Sequence, residues 1–348
     1  MLKFGVIGTG MIAQYGHDGM KASGQAECVT VCDSNERRRL DFAKHNGIKK
    51  VFADAKDMFA DKETEAIYIA VPNSFHAPYA EAALLAGKHV LLDKPFALNL
   101  AEAKRVTEAS KKSGKLFMLG MNQRFAEEPQ KIKSLAEKGY FGEIYHAMAY
   151  WRRRSGIPKA GTWFGNKALS GGGGLLDIGV HMLDLCLYLM DNFEAESVSG
   201  STYSKFGNRG LGFGGWGKSD SEGLVFDVDD LATALIRLKG GATVNLLISW
   251  ACNQKENDMV NVELHGTEAG ATCYPAEVYR FDAQLGASVN VGSLNPAIKY
   301  PHKERGVNFV RAVLGEEAPC VTIDQALKVQ GILDAIYQSA KEGREVRL

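Results

Sequence analysis

The sequence predicts an α/β protein in two parts: a doubly wound parallel sheet, then an α+β half built on a large, open, mainly antiparallel sheet. Three observations predict this. Apolar strand-like runs alternate with helical periodicity through residues 3–120. The first run enters a glycine turn, Gly8-Thr-Gly-Met-Ile-Ala13. Beyond about Phe125 the alternation stops, and strands follow one another through short turns. At 348 residues the chain has the length of about two domains. We place them at residues 1–122 and 123–348, with the C-terminal helix free to pack back on the first.

In the first half, strands are expected at residues 3–7, 26–32, 51–52, 65–71, 88–93 and 116–120. Helices are expected at 36–45, 55–59, 76–86 and 100–113, with stops at Gly47, Gly87 and Gly114. Ligands on such sheets bind beyond the carboxyl ends of the strands. The informative residues therefore sit at strand exits: Gly8 to Ile12, Asp33, Pro72-Asn73, Asp93-Lys94-Pro95 and Asn122-Gln123-Arg124.

In the second half, residues 130–138 read as an amphipathic helix and 143–152 as a long strand. Further strands are expected at 198–203, 231–238, 243–251, 260–265, 271–274 and 278–281, with a hairpin turn at 239–242. An apolar helix at 171–190 interrupts them, and a terminal amphipathic helix is expected at 324–340. Helices can cover one face of this sheet. The other face predicts a subunit contact, and so a homodimer or homotetramer. Residues 207–223, glycine-rich and containing Trp216, are too long for a simple turn; they wall a pocket, reach a neighbouring subunit or are merely mobile.

Lys plus Arg and Asp plus Glu both number 41, so the formal charge is zero. That argues against a nucleic-acid or anionic-membrane surface. The six cysteines form no C-x-x-C pair and read as reduced core residues. We expect no membrane-spanning stretch and, with a strand starting near Met1, no signal peptide, hence a cytoplasmic protein.

Gly8, Gly10 and Ala13 fit G-x-G-x-x-A, in which the first glycine permits the tight turn and the second lets backbone approach a pyrophosphate. Asp33 ends the second strand where a carboxylate accepts from adenosine ribose hydroxyls. That acid repels a 2′-phosphate and favours NAD. Arg37, Arg38 and Arg39 follow closely, so NADP stays open. The cofactor set read from the strand exits is Gly8, Gly10, Met11, Ile12, Asp33, Ser34, Arg38, Val71, Pro72, Asn73, His76, Lys94 and Asn122.

Pro95 removes a backbone donor and ends the strand at Lys94. A lysine held at that rim can stabilise a developing alkoxide. On the 171–190 helix, Asp177, His181 and Asp184 are spaced i, i+4, i+7 and share one stripe. The bland reading is a satisfied core network. The functional one is a general acid/base, a histidine oriented by a carboxylate. With no second histidine on the stripe, we expect no metal. Trp163, between Gly161 and Gly165, either stacks on a sugar face or is core.

With these residues in view, the chain resembles the glucose–fructose oxidoreductase/inositol dehydrogenase (Gfo/Idh/MocA) family over essentially its whole length. The features are Gly8-Thr-Gly-Met-Ile-Ala13, Ala70-Val-Pro-Asn73, Asp93-Lys-Pro95, Asn122-Gln-Arg-Phe125 and Gly172-Gly-Gly-Leu-Leu-Asp-Ile-Gly-Val-His181. Family enzymes usually carry Glu-Lys-Pro, where this chain has Asp93. The resemblance implies that Lys94, Asp177 and His181 form the catalytic set, in a cleft between the halves. It also implies a cis Lys94–Pro95 bond and an open sheet used for dimer or tetramer contacts.

The resulting expectation is an NAD-dependent dehydrogenase acting on a CH–OH group of a sugar, glycoside, anhydrosugar or inositol, with Lys94, Arg124, Trp163, Asp177 and His181 toward the substrate. The alternatives are a non-catalytic sugar- or nucleotide-sensing regulator of the same fold, or an NADP-dependent reductase of another carbonyl class.

Overall fold

The computed structural model describes residues 1–217 and 225–348, so part of the 207–223 segment lies outside the described residues. The chain divides into two compact units. The first comprises Met1–Met121, Ala168–Gly171 and Glu304–Gln330; the second comprises Asn122–Lys167, Gly172–Lys303 and Gly331–Leu348.

Through the first 121 residues the elements run β1 (Leu2–Ile7), α1 (Ala13–Lys21), β2 (Ala26–Cys32), α2 (Glu36–Asn46), β3 (Lys50–Phe52) and α3 (Ala55–Ala60). They continue as β4 (Ala66–Ile69), α4 (His76–Leu85), β5 (His89–Leu92), α5 (Leu100–Ser113) and β6 (Phe117–Leu119). Local chemistry sets the helix ends. Asn35 caps α2 by accepting from Arg38 N, and Asn99 caps α5 by accepting from Glu102 N. Gly47 and Gly114 close those helices in the left-handed region. The strands pair in parallel in the order β3-β2-β1-β4-β5-β6. The order reverses between β1 and β4, the place where doubly wound sheets hold ligands. β4 is fully buried, as a strand covered on both faces must be.

The chain continues as α6 (Glu127–Glu137), β7 (Ile144–Arg153), α7 (Lys167–Ser170) and α8 (Val180–Met190), then β8 (Ala195–Tyr203), β9 (Leu231–Leu238) and β10 (Thr243–Ser249). After these come β11 (Asp258–Gly266), β12 (Gly270–Thr272), β13 (Glu277–Asp282) and β14 (Ala287–Val291). The last elements are α9 (Arg305–Val313), α10 (Ile323–Glu342) and β15 (Val346–Arg347). α7, β14, β15 and α9 go beyond the sequence expectation. Nine strands form one sheet in the order β14-β13-β12-β11-β7-β10-β9-β8-β15. All neighbours are antiparallel except β7 and β10, which pair in parallel because the chain crosses over through α8 before returning.

One face of this sheet presents Ala147, Ala149, Ile236, Val244, Leu246 and Val262, all buried, to α8, whose residues are nearly all buried too. By composition 167–190 is long and apolar enough to cross a membrane, which corrects our expectation that no stretch is. Of its most apolar 18 residues, 83% are buried inside the protein, as in a core helix. The opposite face, with Met148, Tyr150, Thr233, Leu235 and Asn245, floors a shallow concavity of about 930 Å³.

Candidate active site

In the first unit, β1 delivers the chain to Gly8, whose φ is +84°. A Cβ there would stand 2.4 Å from the Ala70 carbonyl oxygen, so only glycine makes this turn. At Gly10 a Cβ would meet nothing within 4 Å, leaving room for a phosphate to approach backbone. Ile12, the residue before α1, offers no side-chain cap, so no side chain of its own occupies the helix's N-terminal N–H groups, where an anion can bind. The Asp33 carboxylate accepts from Thr9 N and Thr9 Oγ1 at 2.8 Å through Oδ2, and from Asn35 N at 2.8 Å through Oδ1. It thereby ties the glycine turn to the end of β2. A carboxylate offers about four acceptor sites, so these three donors leave capacity for a ribose hydroxyl. Arg38 lies 3.6 Å from the same carboxylate, partly exposed. The open glycine, the uncapped helix and the acid together fit a dinucleotide.

The exit of β4 departs from expectation. Asn73 is 5% exposed and donates its amide to Ser170 O at 2.8 Å, fastening α7 to the unit. His76 is 1% exposed, with Nδ1 2.7 Å from Pro95 O and Nε2 2.9 Å from Val71 O. Burial lowers its pKa. His76 is enclosed and links two strand exits, a framework position rather than an open cofactor contact.

Lys94 follows β5, half-buried, and its bond to Pro95 is cis. The Asp93 carboxylate accepts from the Lys94 backbone N–H at 2.9 Å and from Tyr68 Oη at 2.9 Å. Arg305, 2% exposed, reaches both of its oxygens from α9, at 3.2 and 3.3 Å. Burial alone would raise the Asp93 carboxyl, but Arg305, Lys94 and Tyr68 together hold it down at about 2.

In the second unit, Asn122 opens the one-turn helix Asn122–Phe125. Arg124 is fully buried and forms a two-pronged pair with Asp184, Nε to Oδ2 at 2.8 Å and Nη2 to Oδ1 at 2.6 Å, between the Tyr188 and Phe193 rings. This corrects its expected place among the substrate residues: the guanidinium is engaged in the core. It also removes Asp184 from the polar stripe that the helical spacing predicts.

The stripe's other two members keep their helix but not its uniform geometry. Residues Leu175–Gly179 form a π-type turn that runs into α8, a feature often found at functional sites. Asp177, in that turn, is 8% exposed and accepts from Trp250 Nε1 at 2.8 Å. His181, on the first turn of α8, is half-buried and lies 6.3 Å from the Trp151 ring. The glycine run before the turn has a steric reason. At Gly173 a Cβ would stand 1.8 Å from the Asp229 carbonyl oxygen. The Asp229 carboxylate accepts from Gly173 N at 2.8 Å, Leu175 N at 2.9 Å and Tyr337 Oη at 2.7 Å, bracing the turn.

Sequence reasoning missed Trp151, Trp250 and Asp229. For Trp151 a signal existed: strand alternation puts it on the face of Ala147 and Ala149, the face α8 covers. Trp163 stacks on Phe164 at 3.9 Å, and Phe164 meets Trp216 edge-on at 5.1 Å.

Residues 2–121 match the model for an oxidoreductase family with an NAD-binding Rossmann fold, GFO_IDH_MocA, and residues 130–272 match the GFO/IDH/MocA C-terminal domain. D-glucoside 3-dehydrogenase of Escherichia coli strain K12 is 31% identical over 350 aligned residues, covering 100% of this chain and 97% of that one. Glucose-6-phosphate 3-dehydrogenase of Bacillus subtilis strain 168 is 29% identical, covering 76% and 72%. Among solved structures, GenD2 from gentamicin A biosynthesis in complex with NAD superposes with a TM-score of 0.79 at 27% identity, covering 100% and 96%. The chain is a member of the Gfo/Idh/MocA oxidoreductase family, with an NAD-binding Rossmann domain at its N-terminus.

Proposed function

We propose that this enzyme oxidises a ring secondary alcohol of a D-glycoside with NAD, the C3 hydroxyl being the favoured position. The observation that carries the reading is full-length similarity to a D-glucoside 3-dehydrogenase, seconded by a relative named for oxidation at the same ring carbon. NAD, when bound, supplies the hydride acceptor. His181 takes the proton from the substrate hydroxyl as general base. The Lys94 ammonium stabilises the oxygen as charge develops on it. Asp177, held by Trp250, accepts from a substrate hydroxyl and fixes the ring's orientation. The uncovered sheet face serves as the contact between copies of the chain.

The test is an NADH-fluorescence assay of methyl β-D-glucopyranoside, D-glucose 6-phosphate, levoglucosan and myo-inositol, each with NAD and with NADP. We expect the glucoside with NAD to give the highest kcat/KM, with NMR locating the ketone at C3. Absence of turnover on the whole panel, with NADH still binding, would favour the non-catalytic regulator. Lys94→Ala should abolish turnover while the Kd for NADH stays within about twofold, because the lysine acts at the reacting oxygen. His181→Asn should remove most turnover, and an unchanged pH–rate profile in that variant would exclude the histidine as base.

A further inference from the structure

The acid that precedes Lys94 is gripped by a residue more than two hundred positions downstream, Arg305. Three strand ends meet at one guanidinium. Arg305 Nη1 donates to Gly120 O at 2.6 Å, just past β6, and to Asp93 Oδ1 at 3.2 Å, just past β5. Arg305 Nη2 reaches Asp93 Oδ2 at 3.3 Å and Tyr68 Oη, on β4, at 3.2 Å. The same Asp93 Oδ1 accepts the Lys94 backbone N–H at 2.9 Å. The guanidinium carbon also lies 5.3 Å from the ring of Tyr15 on α1, the helix that begins at the glycine turn. Arg305 is therefore connected both to the lysine's backbone and to the dinucleotide-binding helix.

We propose that Arg305 is a positioning residue for Lys94. It orients the Asp93 carboxylate, and through it the backbone at 94, relative to the helix that follows the glycine turn. The assignment rests on Lys94 acting at the reacting oxygen. Arg305 touches neither substrate nor hydride in this role. What it supplies is geometry, and the planar fork matters because one carboxylate must be gripped at both oxygens while a third acceptor is held. A lysine at 305 keeps the charge and loses the fork.

Arg305→Lys is expected to lower kcat on methyl β-D-glucopyranoside about a hundredfold, the scale of a 1 Å misplacement, with KM and the Kd for NADH little changed. Tyr68→Phe, which keeps the Arg305–Asp93 grip, should lose only about fivefold, as for one hydrogen bond. A readout free of cofactor and turnover is the ¹³C resonance of reductively methylated Lys94, assigned by its loss in Lys94→Arg. In Arg305→Lys this resonance should move while the other lysine signals hold.

Native kcat and an unmoved Lys94 signal in folded Arg305→Lys would overturn the proposal. So would a lowered melting temperature with no change in either. Should Arg305→Lys fail to fold, Asp93→Asn, an isosteric neutral amide, decides by the same two readouts. If Lys94→Met turns over normally, the lysine's catalytic role fails, while the NMR shift still judges the positioning role separately.

Discussion

At His89 the Leu116 N–H donates to Nδ1 at 3.0 Å, an arrangement that requires this nitrogen to be unprotonated. Burial, and then the charge of Lys115, push the imidazole down from 6.5 to about 4. The folded state thus binds its proton later than the unfolded chain does. The stabilisation is fully present above pH 6.5 and is lost as pH falls toward 4. Urea-unfolding midpoints should decline across that window, and His89→Asn, whose amide oxygen stands where Nδ1 does and accepts at any pH, should flatten the decline. An equal slope in both proteins would refute this. Asp93 acts at lower pH with the same sign, its contribution being lost as pH falls from near 4 through about 2. Gly8, Asp33 and Lys94 were legible in the sequence because each is defined by neighbours along the chain, a turn, a strand end or a following proline. The partner of Asp93 was not, because Arg305 lies 212 residues away and nothing local announces it. Asn73 and His76 were placed at the right strand exit, but exposure depends on what packs above them.

At the scale of elements, the glycine run and π-type turn ahead of α8 form one device. Gly173→Ala must push the backbone of 229 aside, and it should destabilise the protein by on the order of 1–3 kcal/mol in chemical denaturation. A neutral result would mean that the turn shifts freely and that Asp229 does not brace it. Deeper in the same unit, Arg124→Met leaves the buried Asp184 carboxylate without its ion pair and should remove about 3–5 kcal/mol. Apolar runs and periodicity disclosed α8 and most strands of both sheets, whether buried on one face or, like β4, on both. They did not disclose the π-type turn, whose bracing by Asp229 and Trp250 comes from residues more than fifty positions away. β14 and β15 escaped as well: β14 is largely exposed and β15 is only two residues long.

For the molecule as a whole, helices account for one face of the nine-stranded sheet, while Met148, Tyr150 and Leu235 remain on the other. Light scattering after size exclusion is expected to give a mass at least twice 37.8 kDa. A monomer at micromolar concentration would reject the shared-face reading. The two-part organisation was legible in the change from alternating to sequential strands. Strand order in the second sheet was not, because β7 finds its neighbours in β10 and β11 rather than beside itself in the chain. That placement has a consequence for biogenesis. Position 146 leaves the ribosome 97 residues ahead of its ladder partner at 243, a wait of roughly 5–20 s at ordinary translation rates. Throughout that interval the central strand of the larger sheet has two unsatisfied edges, so nascent chains, more than finished enzyme, are the population in which aggregation and chaperone capture concentrate.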